Sequence, residues 1–422
     1  MKTKTFAFLN KNRILIILLF VLLIVHLFLP LNWSDDAVFL KKTADKDILT
    51  FLNGSARPFT DGLTYIFSRN QWLWRILNPF VLTTAVWAVN ETAPLNNRSN
   101  KTLLICLSVI FPTFCLADAG FVATTVNYLW PVTFGILNLI PLINSFNGNK
   151  TNAYLLVLLI PMLAYATNMQ QLCAVLLAVF LVANFCFIFV KKEFKPYIIL
   201  QLVITIAGTI FSLFANFAGD NSRMFRETNR YFPEFGELGL LEKFELGFSS
   251  TFYCMTMELK QAFLGFIALS VFLIVFTFKS KKNIYQKILS FIPATVSLVF
   301  GILSLIPNAS SYVNTFTGKI QNYGIGKSTY TFKLIPDIMF LIICVIIMYN
   351  VWILINKTKL KIIAEFIFLL GLGSRIMMGF SPTVWASGYR TYCILFISFV
   401  YISLIITDNN TINKSQKPEK LH

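Results

Sequence analysis

The sequence predicts an all-α fold, a polytopic integral-membrane helical bundle of about twelve spans. Three observations carry that prediction. Hydrophobic residues make up 56% of the 422 positions and charged residues only 13%. A soluble chain is nearer half apolar and about one quarter charged, so a surface this apolar aggregates in water and a chain this apolar does not stay disordered. The apolar residues fall into runs of bilayer length, about 20 residues each. The formal net charge of +17 is spread unevenly between those runs, as membrane topology would place it and nucleic-acid binding would not.

The runs lie near 14–31, 74–90, 102–117, 128–145, 153–167, 171–190, 196–218, 261–278, 288–306, 336–355, 361–378 and 391–406. The first ends in Pro30-Leu31-Asn32-Trp33, which lacks a small-residue cleavage site. It reads as a retained anchor, not a signal peptide. With the N-terminus inside, alternate connections (1–13, 91–101, 146–152, 191–195, 279–287, 356–361 and the tail) carry twenty Lys/Arg against four acids. The outside segments carry sixteen against fourteen, and Glu365 alone falls within a span. That is the positive-inside pattern, with both termini cytoplasmic. No repeat or soluble segment intervenes, so 1–406 reads as a single transmembrane domain and 407–422 as a short cytoplasmic tail. Three outside segments, 32–73, 219–260 and 307–335, are long enough to carry function rather than mere connection. The asparagine-, lysine- and isoleucine-rich composition points to a bacterial source.

Absent motifs narrow the chemistry. No GxxxxGK[ST] or HExxH occurs, and the two histidines, His26 and His422, have no polar cluster around them in sequence. The seven cysteines form no CxxC, so single buried thiols are the default.

What remains is acids, arginines and aromatics on the outer segments. Trp33-Ser34-Asp35-Asp36 puts two carboxylates together just beyond the first run; adjacent acids suit a base, a divalent cation or an arginine partner, and equally an N-cap. In Gly54-Ser55-Ala56-Arg57-Pro58 a forked guanidinium in a rigid loop suits a phosphate, or a salt bridge to Asp61. Asn127, Tyr128 and Trp130 join polar edges to aromatic faces and suit a sugar ring, or the start of a helix at Pro131. Thr167-Asn168-Met169-Gln170-Gln171 is a polar break that lines a cavity or makes a turn. Asn221, Arg223 and Arg226 follow another run, and Arg375 and Arg390 flank Ser381-Pro382. Each arginine could hold a lipid phosphate, or could snorkel or lie on a solvated helix face.

Taken in order, Asp35-Asp36, Gly54-Ser-Ala-Arg57, Thr124-Thr-Val-Asn127-Tyr128-Leu-Trp130-Pro131, Ala218-Gly219-Asp220-Asn221-Ser-Arg223 and Ser381-Pro382…Arg390 resemble successive signatures of bacterial GT-C-like multi-pass membrane glycosyltransferases, a group similar to surface-polysaccharide glucosyltransferases. Two stretches depart from that pattern: Met169-Gln170-Gln171 stands where a His-Glu-Gln-like stretch is expected, and Gly219-Asp220-Asn221 where Pro-Gly-Asn is. The resemblance implies a GT-C-like bundle with interfacial helices in its external loops. It implies transfer of a sugar from a polyprenyl-phosphate donor to a cell-surface glycan or lipid acceptor on the outer face of the bacterial cell membrane. It places catalysis on Asp35 and Asp36, and substrate binding on Arg57, Asn127, Tyr128, Trp130, Gln170, Asn221, Arg223, Arg226, Arg375 and Arg390. No cofactor is required by the sequence, although Asp35 and Asp36 are the place for a divalent cation. The partners are the lipid-linked donor, the acceptor and membrane lipid, with no nucleic acid. A transporter or flippase for lipid-linked sugars, or a polysaccharide polymerase, would use similar residues.

Overall fold

The computed structural model describes residues 12–93, 105, 119–217, 223–306 and 330–415. Among these residues 83% are helical and none lies in a strand. Eight helices are long and apolar enough to cross a bilayer. They match eight of the expected runs. The run near 102–117 lies outside the described residues apart from Ile105. Three others correspond to helices that are shorter or more polar than a span requires.

By Cα packing the chain divides into two compact units. Unit 1 holds 1–93 and 97–225, and unit 2 holds 94–96 and 226–422. Unit 1 begins with α1 (Arg13–Phe28), a short apolar helix, then α2 (Ser34–Ala44), α3 (Ile48–Leu52) and α4 (Pro58–Arg69). The long segment after the first run is therefore built of helices. Next come α5 (Gln71–Thr92), α6 (Phe121–Phe146), α7 (Ala153–Ala166), α8 (Gln170–Val190) and α9 (Pro196–Phe217). A further short helix, α10 (Arg223–Tyr231), follows.

Apolar packing alone does not distinguish one helix pair from another in lipid, so buried amides serve as specific ties. In unit 1, Gln201 donates to the Asn138 carbonyl at 2.8 Å and Asn138 to the Leu159 carbonyl at 3.2 Å, joining α9, α6 and α7. Asn184 on α8 donates to Ile198 O on α9 at 3.2 Å. Asn78 links His26 Nε2 (2.9 Å) and Trp130 Nε1 (2.7 Å), joining α1, α5 and α6. The last carbonyls of α1 would be orphans. Arg75 reaches back from α5 to donate to the carbonyls of His26 and Leu29, and Gln71 to that of Leu31.

Unit 2 contains α11 (Leu240–Thr256), α12 (Gln261–Lys279), α13 (Ile284–Leu303), α14 (Leu334–Leu354), α15 (Thr358–Ile376) and α16 (Cys393–Ser415). A 3₁₀ turn, Met377–Phe380, follows α15. The segment 219–260, expected as a long external loop, contains α11, a core helix whose residues from Leu246 to Thr256 are buried at all but one position. Its hydroxyls donate to the helix's own carbonyls, as Thr251 does to Gly247 O (2.6 Å) and Thr256 to Phe252 O (2.7 Å). They are therefore satisfied without water.

α11 rests directly on the backbone after α15. A Cβ at Gly247 would overlap the Ile376 carbonyl, and one at Gly379 would overlap the Lys243 carbonyl. Both partners are main chain and cannot rotate away. Gly247→Val is expected to destabilise the protein by about 3 kcal/mol through overpacking. Gly373→Ala, whose Cβ would meet open space, should leave the thermal unfolding midpoint of the detergent-solubilised protein unchanged.

Candidate functional site

The acidic pair opens α2. Ser34, with φ +52°, takes the left-handed conformation as the chain turns into that helix, and Asp35 and Asp36 occupy its first turn. The two acids have different surroundings. Asp36 is 3% exposed, and its carboxylate is aimed at the start of α6. Its Oδ2 accepts the Val122 N–H at 3.1 Å and its Oδ1 the Ala123 N–H at 2.8 Å. Those amides are among the four at a helix N-terminus that have no intrahelical partner, and the helix dipole adds to the attraction. Asp36 thus caps a helix far away in sequence.

Gly120 makes the approach feasible. Its φ is +97°, and a Cβ there would sit 2.6 Å from Asp36 Cγ, so neither the conformation nor the space admits a side chain. Burial pushes the Asp36 carboxyl up to about 6, against the lowering effect of the Ala123, Val122 and Phe121 amides, and the neighbouring Asp35 raises it further. Asp35 itself is half-buried.

Around this cap, separate stretches of sequence converge. Pro58 begins α4, where its missing N–H is no loss, and the next amide, Phe59 N–H, donates to Asn168 Oδ1 at 3.0 Å. The polar break at 167–171 is thus the turn between α7 and α8, and its Asn168 caps α4. Ser55 Oγ donates to Asp61 Oδ2 at 2.6 Å and accepts the Arg57 N–H at 3.0 Å. The Arg57 guanidinium lies 4.0 Å from Asp61, with the two side chains 22% and 21% exposed. From α6, Asn127 donates to Thr64 Oγ1 at 3.2 Å and to the Ala123 carbonyl at 2.9 Å. Tyr165 on α7 donates to the Val126 carbonyl at 2.7 Å. Helices α2, α4 and the first turns of α6 pack together, so Asp35-Asp36, Arg57 and Asn127 share one region.

The expected site residues separate by this geometry. Trp130 is 5% exposed, bonded to Asn78 and packed against Phe67. With Asn127 it belongs to the framework of the region. Tyr128 is half-buried, in a π-helical turn spanning Thr125–Leu129. Gln170 is exposed at the start of α8. Arg223 and Arg226 lie on α10, and Asn221 lies outside the described residues. Arg375 and Arg390 are in unit 2. Arg375 is 2% exposed, its guanidinium 4.6 Å over the Tyr392 ring and its Nη2 3.4 Å from the Val384 carbonyl. Arg390 Nε donates to Ser387 O at 2.8 Å. The sequence marks Asp61 as a partner for Arg57; nothing in it marks Thr64 or Gly120 as partners of the motifs.

The donor set can be weighed against a divalent cation. Both Asp36 oxygens are directed to backbone amides, and among the described residues no three His, Cys, Asp or Glu side chains gather in ion-binding proximity. Hard cations take six or more oxygens or several ordered waters. The pair does not fit that requirement. An open groove lies beside this region at the α4–α5 corner, lined by Leu40, Ser68, Arg69, Gln71, Trp72 and Ile76.

No family model matches this chain, nor does any characterised protein or solved structure.

Asp36→Ala leaves two buried amides without an acceptor, a cost of about 1–3 kcal/mol. Hydrogen exchange at Val122 and Ala123 should quicken roughly 10- to 100-fold, read by mass spectrometry. Because the folded Asp36 value is raised from 3.8 to about 6, its contribution is fullest at low pH and is lost as pH rises between those values. Stability should fall over that window by on the order of 2–3 kcal/mol, and Asp36→Asn should flatten the profile.

Proposed function

We propose that the α2–α4–α6 region is the site of a GT-C-like glycosyltransferase of the bacterial cell membrane. On this reading it transfers a sugar from a polyprenyl-phosphate donor to a glycan or lipid acceptor, on the outer face of a multi-pass chain with cytoplasmic termini. The observation that carries the reading is the division of labour within the acidic pair. Asp36 is fixed on the N-terminus of α6, and Asp35, beside it in the same helical turn, is thereby held at one place on α2, which packs against α4. A carboxylate in fixed geometry is what a single displacement from a lipid phosphate needs from its base.

In that displacement Asp35 accepts the proton of an acceptor hydroxyl as the hydroxyl oxygen forms its bond to the anomeric carbon. The bond from that carbon to the phosphate oxygen breaks, and the phosphate leaves with the electron pair. Arg57 meets the charge that develops on it. The sugar product has inverted configuration and the second product is polyprenyl phosphate. Tyr128 offers a ring face to the sugar. The groove at the α4–α5 corner supports the same reading, since Leu40 and Ile76 give it an apolar wall for a prenyl chain and Arg69 a cationic end.

Asp35→Asn keeps size and polarity but removes the base, so transfer should drop about 10²- to 10⁴-fold while membrane insertion and Val122 protection stay normal. The measurement compares cell-surface glycan composition in cells carrying either form. Retained sugar incorporation in Asp35→Asn excludes this mechanism and favours a transporter of lipid-linked sugars, which needs no base.

A further inference from the structure

Unit 2 buries the guanidinium of Arg375 without an acid beside it. The residue lies in the last turn of α15, and the chain returns over it through the turn at 381–388 into α16. Its side chain is 2% exposed. The guanidinium sits 4.6 Å over the Tyr392 ring, a contact that uses none of its N–H groups. That ring is itself fixed, since its hydroxyl donates to the Thr251 carbonyl of α11 at 3.2 Å. Arg375 Nη2 reaches the Val384 carbonyl at 3.4 Å, beyond the usual range of a hydrogen bond. Nε and Nη1 are shielded from solvent and have no acceptor among the described residues. The carbonyl end of α15 favours a cation, but none of its carbonyls takes these hydrogens. No ion pair within 4 Å forms at Arg375 among the described residues. Glu258 stands near the same rings, yet it is paired at 2.7 Å to Lys260, which lies over Tyr389 beside Tyr392.

A buried carboxyl can escape its charge by taking up a proton. A guanidinium cannot, because it keeps its proton throughout the range in which proteins fold. Held away from water, its charge is costly unless an anion meets it. A neutral carbonyl at 3.4 Å does not meet it. The depth of Arg375 indicates which anion does. The apolar span Thr358–Phe380 has 23 residues, about 35 Å of helix, against a hydrocarbon core of about 30 Å. Its end therefore reaches the headgroup layer, and Arg375 lies within the last turns. Phosphate is the anion found at that level, and the guanidinium fork matches two phosphate oxygens at once.

We propose that Arg375 anchors a binding site in unit 2 for one phosphate group, which takes the place of the Val384 carbonyl as its acceptor. The Tyr392 ring holds the guanidinium from one face, and the fork donates to two phosphate oxygens. A singly charged phosphate brings the group to zero net charge, because Lys260 and Glu258 already cancel each other. The turn at 381–388 shifts to admit it, and the contact given up, at 3.4 Å, is a weak one. A phospholipid headgroup and free phosphate present the same oxygens to this fork. The site is independent of the sugar-transfer reading, because no step of that reaction uses Arg375.

The test uses the full-length protein in a maltoside detergent, which contains no phosphate, and reads the thermal unfolding midpoint. The probes are inorganic phosphate, dioctanoyl phosphatidylglycerol and, as the phosphate-free control, dioctanoylglycerol. A bound probe at about 100 times its dissociation constant should raise the midpoint by about 5 °C. A rise with phosphatidylglycerol alone assigns a lipid headgroup, and a rise with inorganic phosphate assigns the free anion. A rise with neither overturns the proposal, as does an equal rise with dioctanoylglycerol. Arg375→Gln should abolish the response, and a variant that keeps it in full overturns the site. Arg375→Lys retains the charge without the fork and should weaken binding about 10-fold. Should Arg375→Gln fail to fold, Arg375→Lys decides, and wild-type affinity in that protein contradicts the assignment. Should both fail, native mass spectrometry of the wild type decides. Saturation at one phosphate-bearing probe per chain supports the site, and no retained probe overturns it.

Discussion

The site of unit 1 depends on one carboxylate meeting one helix end. Asp36 gives both oxygens to Val122 and Ala123, which are otherwise orphan amides at the start of the most deeply buried span of that unit. The contact ties the segment after the first run to the bundle, sets where α2 lies, and fixes Asp35 with it. Gly120 is the matching constraint on the other side, since a Cβ there would overlap the carboxyl. The remaining ties follow from the same logic of helix ends. Asn168 caps α4, and Arg75 and Gln71 take up the last carbonyls of α1 and its exit. In an apolar bundle, polar groups with defined partners decide which surfaces meet.

In unit 1 the amides of Asn78, Asn138 and Asn184 each find a carbonyl, an indole or an imidazole on a neighbouring helix. In unit 2 the hydroxyls of α11 are satisfied within the helix itself.

Much of this was legible in the residues. Apolar runs of bilayer length identify eight helices correctly because burial in lipid imposes hydropathy on every position of a span. The run 74–90 also falls on a helix, α5, whose Arg75, Asn78 and Asn90 lower its apolar character although the last two are buried. The same signal gives no run at α11, since Glu242, Lys243, Glu245 and a run of Ser and Thr lower the hydropathy of that stretch. Those hydroxyls bond to their own backbone and enter the core, which hydropathy does not register. The pair Asp35-Asp36 stood out as chemistry. Which of the two is structural was not readable, because the answer lies in the Val122 and Ala123 amides, far along the chain. Asn127 and Trp130 carried a sugar-like signature for the same reason that they make good framework: an amide and an indole bond well in either role.

The division of labour between adjacent acids is the central claim, and a double-mutant cycle on sugar transfer tests it most directly. If Asp36 acts only by holding Asp35 in place, then once Asp35 is replaced by asparagine the additional change Asp36→Asn has nothing left to misplace. The double variant should show the same residual transfer as Asp35→Asn alone, although Asp36→Asn by itself slows transfer. Multiplicative losses in the double variant would give Asp36 a chemical role of its own and contradict the account.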